Sequence, residues 1–130
     1  MAKSVHHIAL NCKDLRRQEE FYTRHFGFRR ERVHNAGRPD EFVMLRLGAT
    51  RLELFSAIGE AKSQVAGEQP VGLKHLAFEV PDLDAALADL HADGIDTEPI
   101  IDLSSVVPGL CICFCHDPDG NRLELMQGGI

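Results

Sequence analysis

The chain has 130 residues, 44% hydrophobic and 26% charged, with a formal net charge of −6. That length supports one domain, 1–130, with a core of its own. The excess of acid argues against a nucleic-acid partner, because phosphate binding needs a basic surface. No apolar run approaches the ~18 residues that span a membrane, and the N-terminus lacks the pattern of a secretory signal, so a cytoplasmic protein with reduced thiols is expected.

Residues 5–12 read as a strand with His7, Ala9 and Asn11 on one face and His6, Ile8, Leu10 and Cys12 on the other. Asp14 suits an N-cap for a helix running to about Phe26, with Gly27 as its stop. Leu15, Gln18, Phe21, Tyr22 and His25 form its inward stripe, leaving Arg16, Glu19 and Glu20 outside. The run Arg29-Arg30-Glu31-Arg32 reads as a solvated loop, and 30–41 as a loop or irregular hairpin. Alternation returns at 42–47 and 51–56 around Gly48-Ala49. Pairing Leu47 with Thr50 sets Met44 opposite Glu53. Leu45, Leu47, Leu52 and Leu54 then share one face, and Phe42, Met44, Glu53 and Phe55 the other.

Residues 58–72, with Gly59, Gly67, Pro70 and Gly72, read as a linker between a first module at about 5–57 and a second at about 73–127. In the second, 74–80 is a strand. Asp82 caps a helix with Leu83, Leu87 and Leu90 inward, and Gly94 ends it. Residues 97–109 are mixed. Pro118-Asp119-Gly120 then predicts a three-residue hairpin loop, pairing Asp117 with Asn121, Phe114 with Glu124 and Ile112 with Met126. That register turns Cys111, Cys113 and Cys115 toward Leu123 and Leu125, as core residues rather than zinc ligands or disulfide partners.

The second module repeats the first. His7-Ile8-Ala9-Leu10 with Asp14-Leu15 recurs as His75-Leu76-Ala77-Phe78 with Asp82-Leu83, 68 positions on. Leu52-Glu53-Leu54 recurs as Leu123-Glu124-Leu125, 71 positions on. One imidazole and one carboxylate per copy, all on the face opposite the leucines, could surround a single divalent metal. Two neutral His and two Glu make a neutral nitrogen–oxygen site suited to Ni, Co, Zn, Mn or Fe. Octahedral coordination would leave two positions for a chelating substrate, whereas tetrahedral zinc would leave none.

His6-His7-Ile8-Ala9-Leu10, Phe21-Tyr22, Phe26-Gly27-Phe28, Leu52-Glu53-Leu54, His75-Leu76-Ala77-Phe78 and the stretch from Asp117 to Leu125 together resemble the vicinal oxygen chelate superfamily, the glyoxalase/bleomycin-resistance/dioxygenase group. The resemblance implies an α+β fold: two βαβββ modules forming an open, mostly antiparallel sheet, helices on one face and a concave metal pocket on the other. It implies metal ligands at His7, Glu53, His75 and Glu124, the set of bacterial glyoxalase I. It further implies a small-molecule substrate with vicinal oxygens, and a homodimer that builds each site from one chain or from two. The expected chemistry is proton abstraction beside a chelated carbonyl through an enediolate, with Glu124 as base and Glu53 as second choice. Phe42, Met44, Phe55, Phe114 and Met126 would wall the substrate pocket, with Arg46, Arg122 and His116 as polar contacts. An epimerase acting on an acyl-CoA, sugar or cyclitol, and a non-catalytic drug- or metabolite-binding protein, are the alternative readings.

Overall fold

The computed structural model describes residues 1–60 and 65–129. Each half of the repeat folds as a unit, Met1–Lys62 and Ser63–Ile130. The expected linker over 58–72 thus falls in part, at 61–64, outside the described residues.

The first unit contains β1 (Ile8–Cys12), α1 (Leu15–Phe26), β2 (Arg29–His34), β3 (Phe42–Leu47) and β4 (Thr50–Ser56). The second contains β5 (Leu76–Glu79), α2 (Leu83–Ala92), β6 (Ile101–Asp102), β7 (Cys111–His116) and β8 (Arg122–Gln127). Each is a βαβββ module with an open four-stranded sheet of its own, ordered β1-β4-β3-β2 and β5-β8-β7-β6. The fold is therefore α+β, as expected. The first strand of each module runs parallel to the last, and the other neighbours are antiparallel.

Both helices start where an aspartate can accept from an unpaired backbone N–H. Asp14 Oδ1 accepts from Arg17 N and Asp82 Oδ1 from Ala85 N, each at 3.1 Å. Gly27 ends α1 at φ 75°, a left-handed conformation that costs a glycine little.

Helix α1 covers β3 and β4, and α2 covers β7 and β8. Between α1 and its sheet lie Tyr22, Val43, Leu45, Leu52 and Leu54, all buried. The corresponding layer of the second unit is Leu83, Leu87, Leu90, Leu123 and Leu125, with Cys113 and Cys115 buried among them. The expected registers hold: Leu47 pairs with Thr50 and Met44 with Glu53, while Phe114 pairs with Glu124 and Ile112 with Met126. The hairpin loop is fixed by Asp117, 4% exposed. Its carboxylate accepts from Asp119 N, Asn121 N and Asn121 Nδ2 at 2.8–3.0 Å, so a buried charge is fully hydrogen-bonded.

The main correction is at 29–34. These residues form strand β2 at the end of the sheet, not a solvated loop. Arg30 lies opposite Leu45, on the helix side. From there it donates through Nε and Nη2 to the two oxygens of Glu19, both at 2.6 Å. Glu19, expected outside, is consequently buried, with Arg16 a further donor at 3.2 Å. A periodicity of apolar residues cannot reveal a strand whose inward contact is an ion pair. Smaller differences are strand starts at Ile8 and Leu76 rather than 5 and 74, and the short β6 within the mixed stretch 97–109.

The Arg30 guanidinium holds the Glu19 carboxyl below the usual carboxylate range, against the opposing effect of burial. A depressed folded-state pKa contributes stability that is full above the unfolded value and lost as pH falls through the folded one. Arg30 is about half exposed and can turn to water when its partner is lost. Glu19→Gln should therefore lower the unfolding free energy by about 1–2 kcal/mol at neutral pH. In urea titrations the gap between wild type and variant should close below about pH 4.

Candidate functional site

His7 and His75 sit immediately before β1 and β5, and the parallel pairing carries each onto the face of the glutamate in its module. Ala9 pairs with Glu53 and Ala77 with Glu124. In the first unit His7 Nε2 lies 3.7 Å from Glu53 Oε2. In the second, His75 Nε2 lies 2.8 Å from Glu124 Oε2. Both carboxylates are largely shielded, at 15% and 16% side-chain exposure, while the imidazoles keep 40% and 26%. The structure thus pairs each predicted histidine with the glutamate of its own unit. Among the described residues, no group of three or more His, Cys, Asp or Glu is gathered to hold a metal ion.

Each pair suits part of a divalent-metal donor set. Two neighbouring donors, each about 2.1 Å from one ion, stand ~3 Å apart, and the observed separations of 2.8 and 3.7 Å lie on either side. The same spacing serves an imidazole–carboxylate hydrogen bond. His75 Nδ1 is buried with no hydrogen-bond partner among the described residues. The polar contact of that ring is therefore made at Nε2, the atom directed at Glu124.

All five predicted wall residues, Phe42, Met44, Phe55, Phe114 and Met126, are half-buried. Phe42 stacks between His34 and Phe55, with centroids at 4.3 and 4.7 Å. Phe114 meets the His75 ring edge-on at 5.6 Å and carries the Arg122 guanidinium 4.1 Å above its face. Arg122 also pairs with Glu98 at 2.8 Å, and Arg46 with Glu31 at 3.4 Å. His116 is exposed, opposite Arg122.

Five residues of this face, His6, Glu31, Arg32, His34 and Arg51, were not anticipated. A depression of about 220 Å³ in the first unit is lined by His6, Glu31, Arg32, His34, Met44 and Arg51. His6 was expected on the opposite face. It precedes β1, so strand alternation does not constrain it, and its Nδ1 lies 2.9 Å from His7 Nδ1. Glu31, Arg32 and His34 belong to β2, the strand that the pattern missed.

Burial raises the Cys113 thiol and pushes Cys115 up to about 12, far from the thiolate that metal binding or nucleophilic attack requires. Cys12 is buried as well, leaving Cys111 the half-buried member of the four free cysteines.

Over residues 4–125 the chain matches the Glyoxalase/Bleomycin resistance protein/Dioxygenase superfamily, and it belongs to that family. It is 37% identical to the uncharacterized protein YwkD of Bacillus subtilis, with 98% of both chains covered. It is 32% identical to a 2-epi-5-epi-valiolone epimerase of an Actinomyces species, covering 97% of this chain and 80% of that one. A glyoxalase family protein from Enterococcus faecalis has a similar structure, with TM-score 0.77 and 33% identity over 95% of this chain and 97% of that one. Among the described residues no helix is long and apolar enough to cross a membrane.

The burial pattern makes a direct prediction about the thiols. A disulfide reagent at mildly alkaline pH should label Cys111 in the native protein, and all four cysteines after denaturation. Mass spectrometry of the labelled peptides distinguishes this from reaction at Cys113 or Cys115.

Proposed function

We propose that the protein is a divalent-metal-dependent enzyme that removes a proton from the carbon beside a substrate carbonyl, in the manner of glyoxalase I. The observation that carries this is the recurrence of one His–Glu pair at the same register of each βαβββ module. His7, Glu53, His75 and Glu124 would hold the metal, from one chain or from the two chains of a homodimer. A bound divalent cation supplies Lewis-acid polarisation to a substrate chelated through two vicinal oxygens.

The remaining work falls to the chain's own residues. Glu124 takes the proton and returns it to the neighbouring carbon, which isomerises the substrate. Without the metal, His75 Nε2 stands 2.8 Å from that carboxylate, and the same nitrogen would be the imidazole's donor to the ion. The Phe114 face and Met126 keep the surroundings apolar, which strengthens electrostatic interactions by excluding water. Glu53 is the second available base. With one carboxylate on each side of the reacting carbon, the same residues perform epimerisation, the reading favoured by the similarity to the valiolone-type epimerase.

Protein purified without chelators should carry about one transition-metal ion per site, and Glu124→Ala prepared identically should lose it. No metal in the wild type, and no uptake on adding Ni, Co, Zn or Mn, would refute the proposal.

Solvent-deuterium exchange into α-hydroxy-carbonyl and thiohemiacetal probes, followed by NMR, reports the chemistry itself. Glu124→Gln should slow exchange by at least ~10²-fold. A one-base isomerase depends on a single carboxylate. A two-base epimerase would lose exchange of one enantiomer with Glu124→Gln and of the other with Glu53→Gln.

A further inference from the structure

The depression in the first unit has a chemistry that the His–Glu pair does not require. Across β2, β3 and β4, residues at equal levels form bands. His34, Phe42 and Phe55 make an aromatic band, followed by Arg32, Met44 and Glu53, and then by Arg29, Arg46 and Arg51. Four arginines therefore occupy a face that holds the carboxylates Glu31 and Glu53, on a chain of net charge −6.

Local structure explains the crowding. The register of β2 against β3 shifts between Arg30 and Arg32. A bulge of this kind lets consecutive residues reach the same side of a sheet. Glu31 uses that freedom to bind Arg51 Nε at 2.8 Å and Arg46 Nη1 at 3.4 Å, and the paired guanidinium of Arg51 holds the Glu31 carboxyl below its usual range. Glu31 is thereby fixed as an ionised clamp on two arginines. Arg32 is exposed and has no ion pair among the described residues. Arg32 lines the depression together with His6, Glu31, His34, Met44 and Arg51, and His6 touches His7 at 2.9 Å.

We infer that this depression binds an anionic substituent, a phosphoryl or carboxylate group, at the end of the substrate remote from the reacting carbon. Arg32 is the donor, while Arg51, tied to Glu31 through Nε and Nη2, forms part of the wall. Arginine suits the role because its planar fork binds two oxygens of such a group at once. The inference rests on the proposed function only for what lies at the substrate's other end. The recognition of an anion stands on the arginines alone.

The test uses metal-free full-length protein and two probes, inorganic phosphate and malonate, titrated at low ionic strength with amide NMR shifts as readout. Saturable binding is expected, with shifts centred on residues 31–34 and 51. Arg32→Gln should weaken it about fivefold or more. Arg32→Lys should retain part of it, and Arg17→Gln, on the exposed surface of α1, should leave it unchanged. Tighter binding of phosphate assigns a phosphoryl substituent, and tighter binding of malonate a carboxylate. Absence of saturation with both probes, or equal affinity in Arg32→Gln with an otherwise unaltered spectrum, would overturn the inference. Because no metal is present, either result is independent of whether the protein proves to be a metalloenzyme.

Discussion

The arrangement of each module depends on the burial of one row of leucines. Leu52 and Leu54 in β4, and Leu123 and Leu125 in β8, are essentially inaccessible beneath their helices. Side chains alternate strictly along a strand, so burying those rows forces Glu53 and Glu124 to the opposite face. Sliding either strand by one residue would bury a carboxylate and expose two leucines. At roughly 1.5–3 kcal/mol per buried leucine, with a larger cost for an unpaired charge, that alternative is closed. The site is thus held in register by residues that take no part in it.

The same alternation explains what could be read from the sequence. Leucines on one face and Glu on the other mark β4 and β8 in the sequence, and the Asp-Pro-Asp-Gly loop implies the β7–β8 register that the structure shows. Asp14 and Asp82 marked the helix starts because an N-cap is a local event. The residues at 29–34 were illegible for a physical reason. Their strand contains one valine, and its contact with the helix side is the Arg30–Glu19 ion pair. Long-range electrostatic pairing leaves no periodic trace in a single sequence. His6 escaped for a different reason: it stands two residues before Ile8, where the ladder begins, so strand alternation does not govern it.

The two modules share a plan but not a chemistry. Around Glu53 the neighbours are arginines, histidines and stacked rings. Around Glu124 they are Phe114 and Met126, with Arg122 drawn onto the Phe114 face by cation–π contact and by Glu98. The repeat places an equivalent His–Glu pair in each module, and the residues around the two pairs differ.

The basic, bulged strand β2 also bears on how the protein behaves in crowded solution. As the end strand of its sheet it presents backbone groups that no strand of that sheet pairs. Long flat apolar edges recruit further strands and lead to aggregation. Here the edge reads Arg-Arg-Glu-Arg-Val-His, so a second copy adding parallel and in register would bring like charges together. The shift in register between Arg30 and Arg32 twists the template further from flatness. The segment that looked least like a strand is well suited to terminating a sheet.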